Sequence, residues 1–257
     1  MRPAALALLA LACLPSPRLH PRAAEELKRG YRHLESGDLE RAEVAFAHAL
    51  EFHPDLPEAW NGAGVVAERR GDLAAARERF ERAARAPDFA EARVNLGVVA
   101  LETRRPDAAE AHLRAALAVD PDLAVARLDL ARGLLHRGLA EPGRRQALWQ
   151  RARVEYLHLL EGRGQAAEAW HDLGYMDLES GRFARAEKEY RRAAELSPTP
   201  AAYHGLCISL VRLARCAEAE GWCRRCLELA PGSAACRRSL AGAEACTEWL
   251  QPSPREP

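Results

Sequence analysis

The sequence predicts an all-α chain of about six antiparallel helix pairs, stacked as a right-handed superhelical solenoid and closed by a C-terminal capping helix. Three observations carry that prediction. The 257 residues are 48% hydrophobic and 29% charged, enough apolar material to bury a core. Ala, Leu, Arg and Glu dominate, and these side chains lose little entropy in a helix. Above all, a small residue recurs at Ala42, Ala76, Ala109, Ala152, Ala186 and Ala219, at spacings of 34, 33, 43, 34 and 33 residues. The units therefore share one period, and a single junction holds about nine extra residues.

Other positions keep the same register. Twelve residues before the recurrent alanine stands Gly30, Gly64, Gly97, Gly174 or Cys207, with Ala131 serving the irregular unit. Four residues after it come Phe46, Phe80, Leu113, Tyr156, Tyr190 and Cys223. Ala49, Ala83, Ala116 and Ala193 follow three later, and Pro54, Pro87, Pro121, Pro198 and Pro231 close the units. Two helices approach closely only where side chains are small, and a large side chain fills the space beside the contact. On these residues the chain resembles the tetratricopeptide-repeat (TPR) family. The resemblance implies six TPR units over residues 23–232, a capping helix over 233–250 and a disordered tail over 251–257. One hairpin cannot bury its own apolar faces, so the units must stack and the last must be covered. An insertion near residues 139–147, around Glu141, Pro142 and Gly143, is expected as a lengthened loop between helices at about 125–137 and 148–161.

The amino terminus stands apart from the repeats. Arg2 precedes an apolar run from Ala4 to Ala12, which reads as a signal peptide over residues 1–12. The run is about half the length a membrane-spanning helix requires. Leu9, Ala10, Leu11, Ala12 and Cys13 resemble a bacterial lipoprotein box, which implies lipidation at Cys13 and a tether over residues 13–22. Leu14, standing where an inner-membrane lipoprotein would carry Asp, implies sorting to the outer membrane, with the chain facing the periplasm. An ordinary secretory peptide, leaving a periplasmic protein, and a cytosolic terminus are the alternatives.

Six of the seven cysteines crowd the last unit and its cap: Cys207, Cys216, Cys223, Cys226, Cys236 and Cys246. Residues facing each other across an antiparallel hairpin have a constant sum of residue numbers. Cys207 with Cys223 sums to 430, centred on Arg215, whereas Cys226 with Cys236 and Cys216 with Cys246 both sum to 462, centred on Pro231. These are the candidate disulfides, the third pair having to absorb about 80° of helical rotation. Reduced core cysteines are the alternative. Cys223 and Cys226 also form a CxxC pair, but a zinc site needs a knuckle and a second matched pair, and a redox site needs the start of a helix in a βαβ unit.

Little else suggests reactive chemistry. Thirty-seven basic residues balance 37 acidic ones, so no general attraction to nucleic acid follows. No phosphate loop, HExxH helix or GxSxG elbow occurs, and the reading is a non-enzymatic protein with no cofactor and no metal. His171 and His204 fall near one place in successive first helices, where they read as polar lining rather than metal ligands. What remains is the concave face of the first helices, expected to present Tyr31, Leu34, Asn61, Val65, Val94, Asn95, Val98, Leu101, Leu128, Asp129, Leu135, His171, Asp172, Tyr175, Leu178 and Ile208. Such a mixed stripe suits an amphipathic helix or an extended segment of a protein partner. Packing between repeats is the competing use of the same residues. The basic clamp of chaperone-binding relatives is not matched, because Leu27, Asn61 and Val94 stand in its place.

A lipid-anchored TPR chain resembles the outer-membrane pilotins of type IV pili, of the Tgl, PilF and PilW type. That resemblance implies a groove that holds segments of a secretin during its assembly, with the membrane reached through the lipid alone. A periplasmic scaffold for another envelope complex and a cytosolic TPR adaptor are the alternatives.

Overall fold

The computed structural model describes residues 20–161 and 166–250. The expected signal peptide, Cys13, most of the tether and the tail at 251–257 lie outside the described residues. Two compact units divide the chain, one ending at Asp120 and the other beginning at Pro121.

The first unit holds three helix pairs: α1 (Pro21–Glu35) with α2 (Leu39–Phe52), α3 (Pro57–Arg69) with α4 (Leu73–Ala83), and α5 (Ala90–Glu102) with α6 (Pro106–Val119). The second unit holds α7 (Ala124–Ala140) with α8 (Arg145–Glu161), α9 (Ala167–Glu179) with α10 (Phe183–Leu196), and α11 (Pro200–Arg212) with α12 (Cys216–Leu229). A last helix, α13 (Ala234–Leu250), packs on both α11 and α12. The described chain is thus an all-α TPR solenoid of six antiparallel pairs and a C-terminal helix. Helix α1 begins at Pro21, two residues inside the stretch expected as tether.

The recurrent alanines explain the pairing. All six are at most 1% exposed, at the crossing of the two helices of each pair. Beside them the ring of Phe46 is wedged between Gly30 and Gly62, where an added Cβ would stand 2.5 and 2.4 Å from the ring. Phe80 meets Gly64 and Leu113 meets Gly97 in the same way, and Tyr190 lies between Gly174 and Gly205. At Gly30, Gly62, Gly64 and Gly205 a Cβ would stand 2.4–2.5 Å from the ring, too close for any side chain unless the ring moves.

The turns inside the pairs repeat as well. Five residues before the recurrent alanine the backbone enters the left-handed region, at Gly37 (φ 78°), Gly71 (81°), Arg104 (55°), Gly181 (72°) and Ala214 (57°). Asp38 and Asp72 then cap α2 and α4 by accepting hydrogen bonds from Arg41 N and Ala75 N. Helices α2, α6, α10 and α12 each end two residues before a proline, at Pro54, Pro121, Pro198 and Pro231.

The fourth pair departs from the expectation of a lengthened loop. Its extra residues extend both helices, so that only Glu141 and a single 3₁₀ turn, Pro142–Arg144, separate α7 from α8. The ends are held by Glu141, which takes hydrogen bonds from Arg137 and Arg144, and by Trp149, whose indole N–H donates to the Leu135 carbonyl. Gly138 lets that indole lie against the α7 backbone, with an added Cβ 2.5 Å from the ring.

Candidate functional site

In the first unit, the face of the first helices is partly apolar and partly amide. Asn95 Nδ2 donates to Asn61 Oδ1 at 2.8 Å, linking α5 to α3, and the Tyr31 hydroxyl donates to the Glu58 carbonyl at 3.1 Å, linking α1 to α3. Tyr31 also meets Phe46 edge to face, and burial, ahead of its neighbours, raises the pKa of its phenol. Tyr31, Val65, Asn95, Val98 and Leu101 are half-buried. Leu34, Asn61 and Val94 are not open lining: they are 7%, 9% and 6% exposed. The reason is that a first helix is covered by its own partner on one side and by the next first helix on another, so its buried arc is wider than one stripe.

In the second unit the corresponding face is organised around one carboxylate. Asp172 Oδ2, on α9, accepts from the Tyr156 hydroxyl of α8 at 2.8 Å and from Arg132 Nε of α7 at 3.2 Å. Asp172 Oδ1 lies 3.1 Å from His171 Nδ1, and Arg132 also reaches Glu168 at 2.8 Å. Burial acts to raise the Asp172 pKa, but the bonds from His171, Tyr156 and Arg132 outweigh it and hold the carboxyl below its ordinary range. For Tyr156 the shift is upward, through burial first and the Asp172 charge second. Asp129 is half-buried and its pKa is raised, again chiefly by burial. The His171 ring stands edge-on to Tyr190, with centroids 5.5 Å apart.

Leu128, Tyr175, Leu178 and Ile208 are half-buried, with Tyr175 and Leu178 packed on the core of the last two pairs. Leu135, expected as lining, is 4% exposed beneath Trp149. His204 is half-buried, and burial lowers its pKa, with Arg238 adding to the effect. Among the described residues no group of three or more His, Cys, Asp or Glu side chains is placed to hold a metal ion.

The six C-terminal cysteines form three disulfides, Cys207–Cys223, Cys216–Cys246 and Cys226–Cys236, with Cα separations of 5.5, 5.6 and 5.9 Å. The first closes the α11–α12 pair, and the other two fasten α13 to α12. The two cysteines of the CxxC pair therefore go to different partners.

Two features escape a reading based on repeat positions. The lengthened α8 and the end of α9 border an open cleft of about 370 Å³, lined by Pro142, Arg145, Trp149, Arg153, Met176 and Arg182 among others. Beneath it lies an ion cluster of reversed polarity. In the first two pairs Glu43 of α2 meets Arg79 of α4 at 2.8 Å. At the same register Arg153 of α8 meets Glu189 of α10 at 3.5 Å, and Arg153 also donates to Asp177 at 2.6 Å. Asp177 is fully buried at the register where three other pairs place Ala67, Ala100 and Leu210 and the first pair places the half-buried His33. That substitution was the available signal.

The tetratricopeptide-repeat family matches the sequence at residues 27–90, 67–128 and 167–200. No curated protein matches the chain. Among solved structures, pilF of Pseudomonas aeruginosa is similar with a TM-score of 0.72 and 18% identity, over 86% of this chain and 97% of that one. PilW, described as a widely conserved type IV pilus biogenesis factor, gives a TM-score of 0.71 and 18% identity, over 86% and 99%. The APC/C hetero-tetramer Cut9–Hcn1 gives 0.67 and 16%, over 87% of this chain, which spans only 43% of that one. At such identities the likeness is one of fold. With six hairpins in register, the glycine contacts and three matching repeat segments, the chain is a tetratricopeptide-repeat protein, a module for protein–protein interaction.

Proposed function

We propose that this protein is a lipid-anchored TPR scaffold of the bacterial envelope, attached through Cys13 to the outer membrane and facing the periplasm, where it acts as a pilotin in the assembly of a type IV pilus secretin. The single observation that carries the envelope half of the reading is the set of three disulfides in α11–α13. Disulfides persist in oxidising compartments, the periplasm among them, and are rare in the cytosol. The apolar run before Cys13 agrees with export. The pilotin half is supported by the fold shared with pilF and PilW.

The partner is held on the first-helix faces. Tyr31, Val65, Asn95, Val98 and Leu101 supply apolar area with an amide beside it in one unit, and His171, Tyr175 and Leu178 supply a similar surface in the other. A segment with alternating apolar and polar side chains fits such faces through its side chains and, at the amides, through its backbone.

The test is capture from envelope extracts by the full chain, paired with metabolic lipid labelling of wild type and Cys13→Ala. The proposal expects a secretin in the captured fraction and label on wild type alone. Equal label on both chains, or capture without a secretin and normal pili in a deletion strain, contradicts it.

A further inference from the structure

Asp177 and Glu189 are two carboxyl groups at one buried junction. Asp177, on α9, is 0% exposed, and the Glu189 side chain, on α10, is 13% exposed. Each has one oxygen engaged by a guanidinium: Arg153 Nη2 and Arg182 Nε donate to Asp177 Oδ1 at 2.6 and 2.5 Å, and Arg153 Nη1 donates to Glu189 Oε1 at 3.5 Å. The other two oxygens, Asp177 Oδ2 and Glu189 Oε2, are buried without a donor. One guanidinium bridges the two side chains, Arg153 Nη2 on Asp177 and Nη1 on Glu189, which sets the carboxyls beside each other. Ionised carboxylates only accept, so a single proton held by the pair is the donor that these two orphaned oxygens lack.

We infer that Asp177 and Glu189 share one proton across the junction of α8, α9 and α10, and that release of this proton to solvent loosens the junction, making it a sensor of alkaline pH. The proton resides on Glu189. Two guanidiniums stand on Asp177, whereas Glu189 has one contact at 3.5 Å and none from Arg182. The groups that reach the pair are Arg153 from α8, Arg182 from the α9–α10 turn and, on α10 itself, the Tyr190 phenol. Burial first, and then Tyr175, Asp172, Glu179 and Glu189, raise that phenol, so it stays neutral and takes no part in the switch. Burial and the adjacent Asp177 push Glu189 up to about 8.

The sign follows from linkage. Glu189 holds its proton in the folded chain at pH values where the unfolded chain has lost it, so stability is complete below the ordinary Glu range and falls as pH rises to the folded value. The Glu43–Arg79 contact of the first two pairs is reversed at this junction, and an acid stands at the register position that holds Ala67, Ala100 and Leu210 in three other pairs.

The test uses the full, oxidised chain. The Glu189 side-chain carboxyl ¹³C shift is followed against pH, and Tm is measured from about pH 6 to about pH 9 for wild type and Glu189→Gln. The expected result is a Glu189 titration well above the ordinary carboxylate range and a Tm that falls by several degrees in wild type but stays flat in the variant. A Glu189 carboxyl that titrates in the ordinary range, or an unchanged slope in Glu189→Gln, overturns the inference. Should the variant not fold, the wild-type ¹³C titration decides alone.

Discussion

Cys207 and Cys223 are bonded to each other at the two positions where other repeats set a glycine against a large side chain, as Gly30 is set against Phe46 and Gly174 against Tyr190. The last pair thus replaces a packing contact by a covalent one. The physical need is the same in each case, to hold the two helices together at close range. A crosslink over 16 residues restricts the unfolded chain and contributes about 3 kcal/mol. Replacing both cysteines by Ala is expected to lower stability by about that amount, read from denaturant unfolding. Cys207→Gly with Cys223→Tyr restores the contact used elsewhere and is expected to recover part of the loss.

Phe46 offers the converse experiment. Its ring fills the space between Gly30 and Gly62, so Gly62→Ala forces a buried, fully packed ring to move. We expect a loss of about 1–3 kcal/mol from overpacking. Phe46→Ala, which leaves a cavity, is expected to cost about 3–5 kcal/mol. A Gly62→Ala chain as stable as wild type would contradict the wedge.

The turns predict a gain. Arg104 and Ala214 hold positive φ at a site where Gly37, Gly71 and Gly181 do so without a side chain. Left-handed backbone costs a non-glycine residue about 1–2 kcal/mol. Ala214→Gly is therefore expected to raise the unfolding midpoint, by about 1 kcal/mol after the added freedom of the unfolded glycine is subtracted. A lower midpoint would show that the turn is held by something else.

At acid pH the Asp172 network governs the response. Its carboxyl is held below the ordinary range, so the stability it contributes is complete above the unfolded Asp value, near pH 4, and is lost as pH falls through the folded value. Asp172→Asn is expected to be less stable at neutral pH and to show a shallower acid limb. Tyr156→Phe, which removes one donor to a charged acceptor, is expected to cost about 1.5–3 kcal/mol at neutral pH. Equal acid limbs in wild type and Asp172→Asn would contradict the assignment.

How much of this was legible follows from what a repeat makes visible. The period exposes every position that all units need, so the alanines at the crossings, the glycine-and-ring contacts and the closing prolines could be read directly. The sequence counts nine extra residues in the fourth unit but does not say whether they form loop or helix. Helix wins because Trp149 finds both a glycine to lie against and a carbonyl to bond within α7. The first-helix faces were harder still. One residue turns a helix by about 100°, so Leu34 and Leu135 fall inside while Tyr31 and Tyr175 stay half-open. Residue type alone does not set Asp177 apart among the chain's 37 Asp and Glu residues. Its place in the register, which holds Ala67, Ala100 and Leu210 in three other pairs and half-buried His33 in the first, is the signal that points to burial.

The proposed function requires the first-helix faces to hold another polypeptide. The most direct measurement places a photo-crosslinking residue singly at Val98, at Tyr175 and, on the outer surface of α2, at Val44, which is 53% exposed. After irradiation of intact cells, a discrete adduct with another protein is expected from the first two sites and none from Val44. Adducts from Val44 alone, or no adduct at Val98 and Tyr175 in cells where the protein is active, would contradict it.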